Sequence, residues 1–261
     1  MRPVLTVHLL LELHNELISL LESLRAENWL VPTVCKGWAV RDIVAHILDT
    51  QLRILAIGRD AHMLLPDPTQ PLIQFLNELN HSWVLAARRF SLGVIVDLLR
   101  DTAPRHTAQY ASLAPFEPAM FPVAWTGEIQ SQNWFHIGRD YTEYWHHQQQ
   151  IRDAVGAMPI TSKRYLGPVL ELLIRAIPNA YRDLDVASLE VEISGEAGGV
   201  WHYSSVSGLK EGPANTPGTR ISIDSDSAWR LFTNGLKNPH LVASGDPVLI
   251  AHFANVRAVM V

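Results

Sequence analysis

The segment Trp134–Asp153, WFHIGRDYTEYWHHQQQIRD, decides how the chain is read. Apart from Gly138 it holds no helix-weakening Gly or Pro, and at 3.6 residues per turn it predicts a helix of about five turns. His136, Asp140, Glu143 and His147 recur within it at spacings of four, three and four, which places them on one stripe of the helix. Arg139 stands one turn before Glu143 on nearly the same stripe. Trp134, Tyr141, Tyr144 and Trp145 surround these polar groups, so the pattern predicts an inward, functional polar face with aromatics packing its sides. One helix can supply two metal ligands four residues apart; a third must come from another element.

Toward the N-terminus, Leu and Ile at helical spacing predict a first amphipathic helix from Val4 to Arg25. The stretch Asn28–Gly37, NWLVPTVCKG, breaks that pattern, and the periodicity resumes at Trp38 and runs to Gly58 with His46 in its middle. Asp42, Asp49 and Arg53 share the side of that second helix with His46. A proline-rich loop, Leu64–Pro71, precedes a third helix from Leu72 to Phe90, with continuation through Ser91–Arg100 as an open alternative. Asp101–Pro122 holds four prolines and reads mostly as loop, with a short helix as the alternative. Four helices so connected predict a bundle whose ligand site is built in its interior.

Past Ala154 the texture changes. A helix over Tyr165–Arg175 is expected to end at Pro178, and the alternating runs Ser188–Ile193, Gly198–Val206 and Thr219–Ile223 predict strands. Ser225–Gly235 and Asp246–Phe253 carry the start and stop signals of two short helices. The expected architecture is a helical bundle over residues 1–158, followed by a small α+β domain over 159–261.

Composition narrows the function classes. Hydrophobic residues at 48% and charged ones at 18% describe an ordinary globular chain of 261 residues, and a net charge of -5 without a basic stripe argues against nucleic acid or an anionic membrane as partner. In the apolar opening, Glu12, His14, Asn15 and Glu16 interrupt any run long enough to span a bilayer. A single cysteine, Cys35, cannot form an intrachain disulfide, and together these features place the protein in the cytoplasm.

His46 with Glu143 and His147 makes a His/Glu/His set suited to a divalent ion, zinc foremost, and three protein ligands leave a position open to water or substrate. His146 competes for the same role, because Glu143 and His146 have the Glu-x-x-His spacing of dimetal bundles, although no second copy of that motif is present. The alternative is that these histidines are merely packed. Arg139, a turn from Glu143, is expected to orient it or to take a substrate carboxylate with its planar fork. Cys35 has no neighbouring base in the sequence and reads as a small buried residue, and His106, His202, His240 and His252 receive no role. Neither a Gly-x-Ser-x-Gly elbow nor a phosphate-cradling glycine loop is present.

Two runs carry a resemblance. Trp29–Asp49, WLVPTVCKGWAVRDIVAHILD, and Arg139–Ala154, RDYTEYWHHQQQIRDA, resemble the two motifs of the mycothiol-dependent maleylpyruvate isomerase family, a group within the DinB-like metal-binding bundles. More weakly, the following domain is similar to the sterol-carrier-like C-terminal module. The resemblance implies a four-helix metal-binding bundle, favours His147 over His146, and makes His46, Glu143 and His147 the ligands. It further implies a cytoplasmic transferase or isomerase that binds a low-molecular-weight thiol, mycothiol or a relative, as a metal-held thiolate that attacks an electrophilic substrate. A metal-containing protein that binds a small ligand without turning it over is the rival reading. The sequence departs from the family pattern at Ala39, where a hydroxyl residue is usual after the motif tryptophan, and in the glutamine run Gln148–Gln150.

Overall fold

The structure, a computed structural model, describes residues 1–258. Leucines at helical spacing form α1 (Val7–Ser23), which buries Leu9, Leu10, Leu13, Leu17, Leu20 and Leu21. The second periodic stretch forms α2 (Val40–Gly58), and its apolar face buries Ile43, Val44, Ile47 and Leu48. Its first turn is pinned by Asp42, whose carboxylate accepts from the Ala39 backbone N–H at 3.0 Å and from the Arg88 guanidinium through two bonds of 2.9 Å. Helix α3 (Leu72–Ala87) lies against α2 through Val84 and Ala87, and the Trp83 indole donates to the Ala45 carbonyl at 2.8 Å.

The third helix does not extend from Leu72 to Arg100: α3 stops at Ala87, Ser91 caps a new helix by accepting from the Val94 N–H, and α4 (Leu92–Ala111) continues through the region expected to be loop. Pro104 inside α4 forfeits one backbone bond, which packing outweighs because Leu99, Ala103, His106 and Tyr110 are buried on that helix. Pro178 does not end the following helix either. Helix α6 (Lys163–Leu173) passes into a 3-10 turn, Ile174–Ala176, and Pro178 sits in the first turn of α7 (Ile177–Ala180), where no donor is needed. The pivotal helix is α5 (Asn133–Val155).

The chain forms two compact units that do not follow chain order. The first comprises Val7–Ala114 and Glu143–Pro159, so that α1, α2, α4 and the second part of α5 form a four-helix bundle with α3 alongside α2. The second comprises Met1–Thr6, Pro115–Thr142 and the chain from Ile160 on. It holds β1 (Leu189–Ser194), β2 (Gly199–Ser204), β3 (Gly208–Glu211), β4 (Thr219–Asp224) and β5 (Val242–Ser244) in a mixed sheet of order β3-β2-β1-β4-β5. Strand β1 runs antiparallel to β2 and parallel to β4. Alternate residues Leu189, Val191, Ile193, Trp201, Tyr203, Ile221 and Ile223 are buried, and α8 (Ser225–Phe232) and α9 (Pro247–Phe253) pack beside the strands. Asp224 and Asp246 cap these two helices through their side chains. The first part of α5 belongs to this unit: a Cβ on Gly138 would come within 2.8 Å of a Leu172 methyl, and the Tyr141 hydroxyl donates to the Tyr165 carbonyl. The architecture is thus a helical N-terminal region followed by an α+β region with a mixed sheet. Among the described residues no helix is long and apolar enough to cross a membrane.

Ala39 occupies the N-cap of α2 with extended backbone, φ -89° and ψ 173°, so Asp42 supplies its half of a capping box and no side chain supplies the other. The Asp42 N–H here donates to the Ala39 carbonyl at 2.9 Å; Ala39→Thr would add a side-chain acceptor at the cap and is expected to raise stability by about 1 kcal/mol in chemical denaturation. A variant no more stable than the parent would show that the vacant half of the box contributes nothing at this position.

Candidate metal centre

The second part of α5 turns a polar face into the bundle. Glu143 Oε2 lies 3.7 Å from His147 Nε2 and 3.8 Å from His146 Nδ1, and a ligand atom from each of the three residues falls within 4.8 Å of the others. From α2, His46 brings its ring edge-on to that of His147, with centroids 4.9 Å apart at 84°, and Trp38 covers His46 at 5.3 Å. His46 Nδ1 is buried and has no hydrogen-bond partner among the described residues. His147 Nδ1 lies 2.9 Å from Gln150 Oε1, within hydrogen-bond distance, and Nε2 is the ring nitrogen 3.7 Å from Glu143.

A tight loop delivers the remaining neighbour. Thr33 N–H donates to the Trp38 carbonyl and Val40 N–H to the Val31 carbonyl, while Gly37 takes the turn at φ +80°. This fold-back brings the Cys35 thiol to 3.3 Å from Gln150 Oε1, to which it donates. Sequence reading assigned Cys35 and Gln150 no part in the site. Gln150 was within reach of inference, being three residues after His147 on a helix. The approach of Cys35 depends on the loop's turn, which residue spacing does not encode.

Burial sets the charge state of these groups. His46 is held well below the usual histidine value of 6.5 by desolvation, then by His147, Arg53 and His146. His147 is lowered to about 4 by desolvation and His146, against the opposing pull of Glu143 and Gln150. Both rings are therefore neutral at pH 7, the form that donates a lone pair to a metal. Desolvation raises the Cys35 thiol, and Glu143 raises it further against the Thr33 hydrogen bond, so the thiol stays protonated as the donor that its contact with Gln150 requires. His46 with its buried Nδ1, His147 and the Glu143 carboxylate offer nitrogen and oxygen donors of the kind a divalent ion of the zinc type takes, while the ligand atoms that lie within 4.8 Å of one another are those of Glu143, His146 and His147. His146 also adjoins Glu143, so proximity alone leaves it beside His147 as a candidate.

The other predicted residues lie as follows. Arg139 pairs with the adjacent Asp140 in the unit that contains the first part of α5. His136 is buried there and lowered to about 4, chiefly by desolvation. His106, given no role from the sequence, lies in the bundle core 3.1 Å from the Tyr144 hydroxyl.

The sequence matches the family model described as the mycothiol maleylpyruvate isomerase N-terminal domain over residues 10–152. No curated protein matches the chain. Two crystal structures of the mycothiol-dependent maleylpyruvate isomerase, one of them of a mutant, resemble the structure with a TM-score of 0.57. The likeness covers 94% of this chain and 96% of theirs at 11% sequence identity, which establishes a shared fold.

His14, His46, His136 and His147 are all lowered by burial. An unfolded chain takes up protons near pH 6.5 while the folded chain resists to about 4, so the unfolded state binds more protons across that window. Stability is expected to fall as pH drops from 6.5 toward 4, by about 1.4 kcal/mol per pH unit for each such histidine, and to be insensitive to these groups above that window. Urea titrations with a chelator present check this, and His147→Gln should flatten the slope by one proton. A slope unchanged by that substitution would contradict the assignment.

Proposed function

The chain belongs to the mycothiol maleylpyruvate isomerase N-terminal domain family, and from that premise we propose that it is a metal-dependent enzyme using a low-molecular-weight thiol, mycothiol or a close relative, against an electrophilic substrate. The reaction would be a thiol transfer or an isomerisation of the maleylpyruvate type. The observation that carries the proposal is the His46 nitrogen left without a partner inside the bundle, beside a neutral His147 and the Glu143 carboxylate. His46, Glu143 and His147 would hold the ion, in line with the family motifs. When bound, a zinc-type ion lowers the pKa of a coordinating thiol so that its sulfur is present as thiolate near neutral pH.

The chain's own residues supply the rest. Desolvation keeps both ligand histidines unprotonated, and the Gln150 carbonyl holds the ring of His147. Trp38 and the bundle interior exclude water, which strengthens the pull of each polar group on a bound thiol. One helical turn before Glu143, Arg139 would bind a substrate carboxylate through its guanidinium fork, with Asp140 as its partner until substrate arrives. We also propose a cytoplasmic location and, along the sequence, a division into 1–158 and 159–261, in line with a family match that ends at residue 152, although in space Met1–Thr6 and Pro115–Thr142 group with the later residues.

Elemental analysis and calorimetry test the reading. His46→Ala and His147→Ala are expected to lose the ion, whereas His136→Ala keeps it. Thiol binding to the loaded protein should release a proton, visible as a heat that changes with the ionisation enthalpy of the buffer. Full occupancy in both ligand variants would refute the ligand set, and metal binding without thiol-linked proton release would refute the enzyme reading. Arg139→Lys is expected to leave metal content unchanged while kcat/KM falls roughly 10- to 100-fold through loss of the bidentate contact. Unchanged kinetics would remove Arg139 from the substrate site.

A further inference from the structure

Three glutamines follow His147, and the structure gives two of them different work. Gln148 ties helices together: its amide N–H donates to the Leu13 carbonyl on α1, and its Oε1 accepts from Arg152. Gln150 instead faces the candidate centre, where a single oxygen receives His147 Nδ1 at 2.9 Å and the Cys35 thiol at 3.3 Å.

A neutral imidazole carries one proton, and its two nitrogens here have competing neighbours. A proton on Nε2 would face Glu143 Oε2, but at 3.7 Å that separation is too long for a hydrogen bond, whereas Gln150 Oε1 is at full bonding distance from Nδ1. The thiol donor strengthens the case, because a Gln150 amide turned the other way would present N–H groups to both neighbours. Cys35 therefore favours the orientation in which the carbonyl oxygen faces His147.

We propose that Gln150 is a positioning residue: its carbonyl, oriented with the help of the Cys35 thiol, holds His147 as the Nδ1–H tautomer and leaves the Nε2 lone pair free for an ion shared with Glu143 and His46. The consequence for metal affinity rests on the function proposed above; the tautomer itself does not. A histidine ligand whose other ring nitrogen loses its acceptor typically binds its metal 10- to 100-fold more weakly, because orientation and basicity both suffer.

Long-range proton–nitrogen correlation spectra of the metal-free protein read the tautomer directly, and competition with a chromophoric chelator reads zinc affinity. Wild-type His147 is expected to carry its proton on Nδ1. Gln150→Leu should move that proton wholly or partly to Nε2 and weaken zinc about 10- to 100-fold, while Gln150→Glu, which keeps an acceptor, should restore both. An Nε2–H signature in the wild type overturns the inference even if Gln150→Leu fails to fold. So does a Gln150→Leu protein with unchanged tautomer. If the wild type shows the Nδ1–H tautomer and its dependence on Gln150 but binds no zinc, the positioning holds and the metal reading is what fails.

Discussion

A polar segment buried in a helical bundle must find a partner for every group it takes out of water, and the second part of α5 meets that demand almost residue by residue. His146, His147, Gln148, Gln149, Gln150 and Arg152 are all buried. An unmet polar group there would cost about 1–3 kcal/mol, a large share of the stability of any domain. Arg152 reaches the Met158 carbonyl and Gln148, and lies near the Glu16 carboxylate, while Gln148 bonds the Leu13 carbonyl. These contacts fix how α5 sits against α1. Deeper in the bundle the Gln51 amide donates to His14, the Thr102 hydroxyl donates to Gln51, and Tyr144 meets His106. The glutamine run that departs from the family pattern thus has a structural reason.

Among the described residues His46 Nδ1 and His14 Nε2 are both buried without a hydrogen-bond partner, and His46 is the one whose ring adjoins that of His147. The same burial that strips histidines of their protons also makes an unpartnered nitrogen expensive, and an ion is one way to relieve both penalties. Structure and chemistry are linked here by one cause. Desolvation keeps His46 and His147 neutral, the state in which they would coordinate an ion, and Gln150 is the residue proposed to set which nitrogen of His147 is offered.

The helical N-terminal region and the mixed-sheet region after it were legible because long, strongly periodic helices and alternating strands leave strong marks in sequence, and α1, α2, α5, β1, β2 and β4 appear close to where those marks predicted. The failures have physical causes. Pro104 reads as a breaker, yet α4 passes through it because the packing of Leu99, Ala103 and Tyr110 is visible only in three dimensions. Strands β3 and β5 lie at the sheet edges, where β3 is half-exposed to exposed and β5 fully exposed, so neither shows the alternation that marks a half-buried strand. Within the site, spacing on α5 brought Glu143, His146 and His147 together as helical geometry requires, but it could not choose between two histidines three and four residues on. The position of Cys35 followed from a turn at Gly37, a long-range consequence of one backbone conformation.

Anomalous diffraction from a zinc-loaded crystal, collected on both sides of the zinc absorption edge, addresses the central claim most directly. One peak bounded by His46, Glu143 and His147, with Gln150 still hydrogen-bonded to the ring of His147, is expected. A peak held by Glu143 and His146 without His46, or located away from α2 and α5, would contradict that claim.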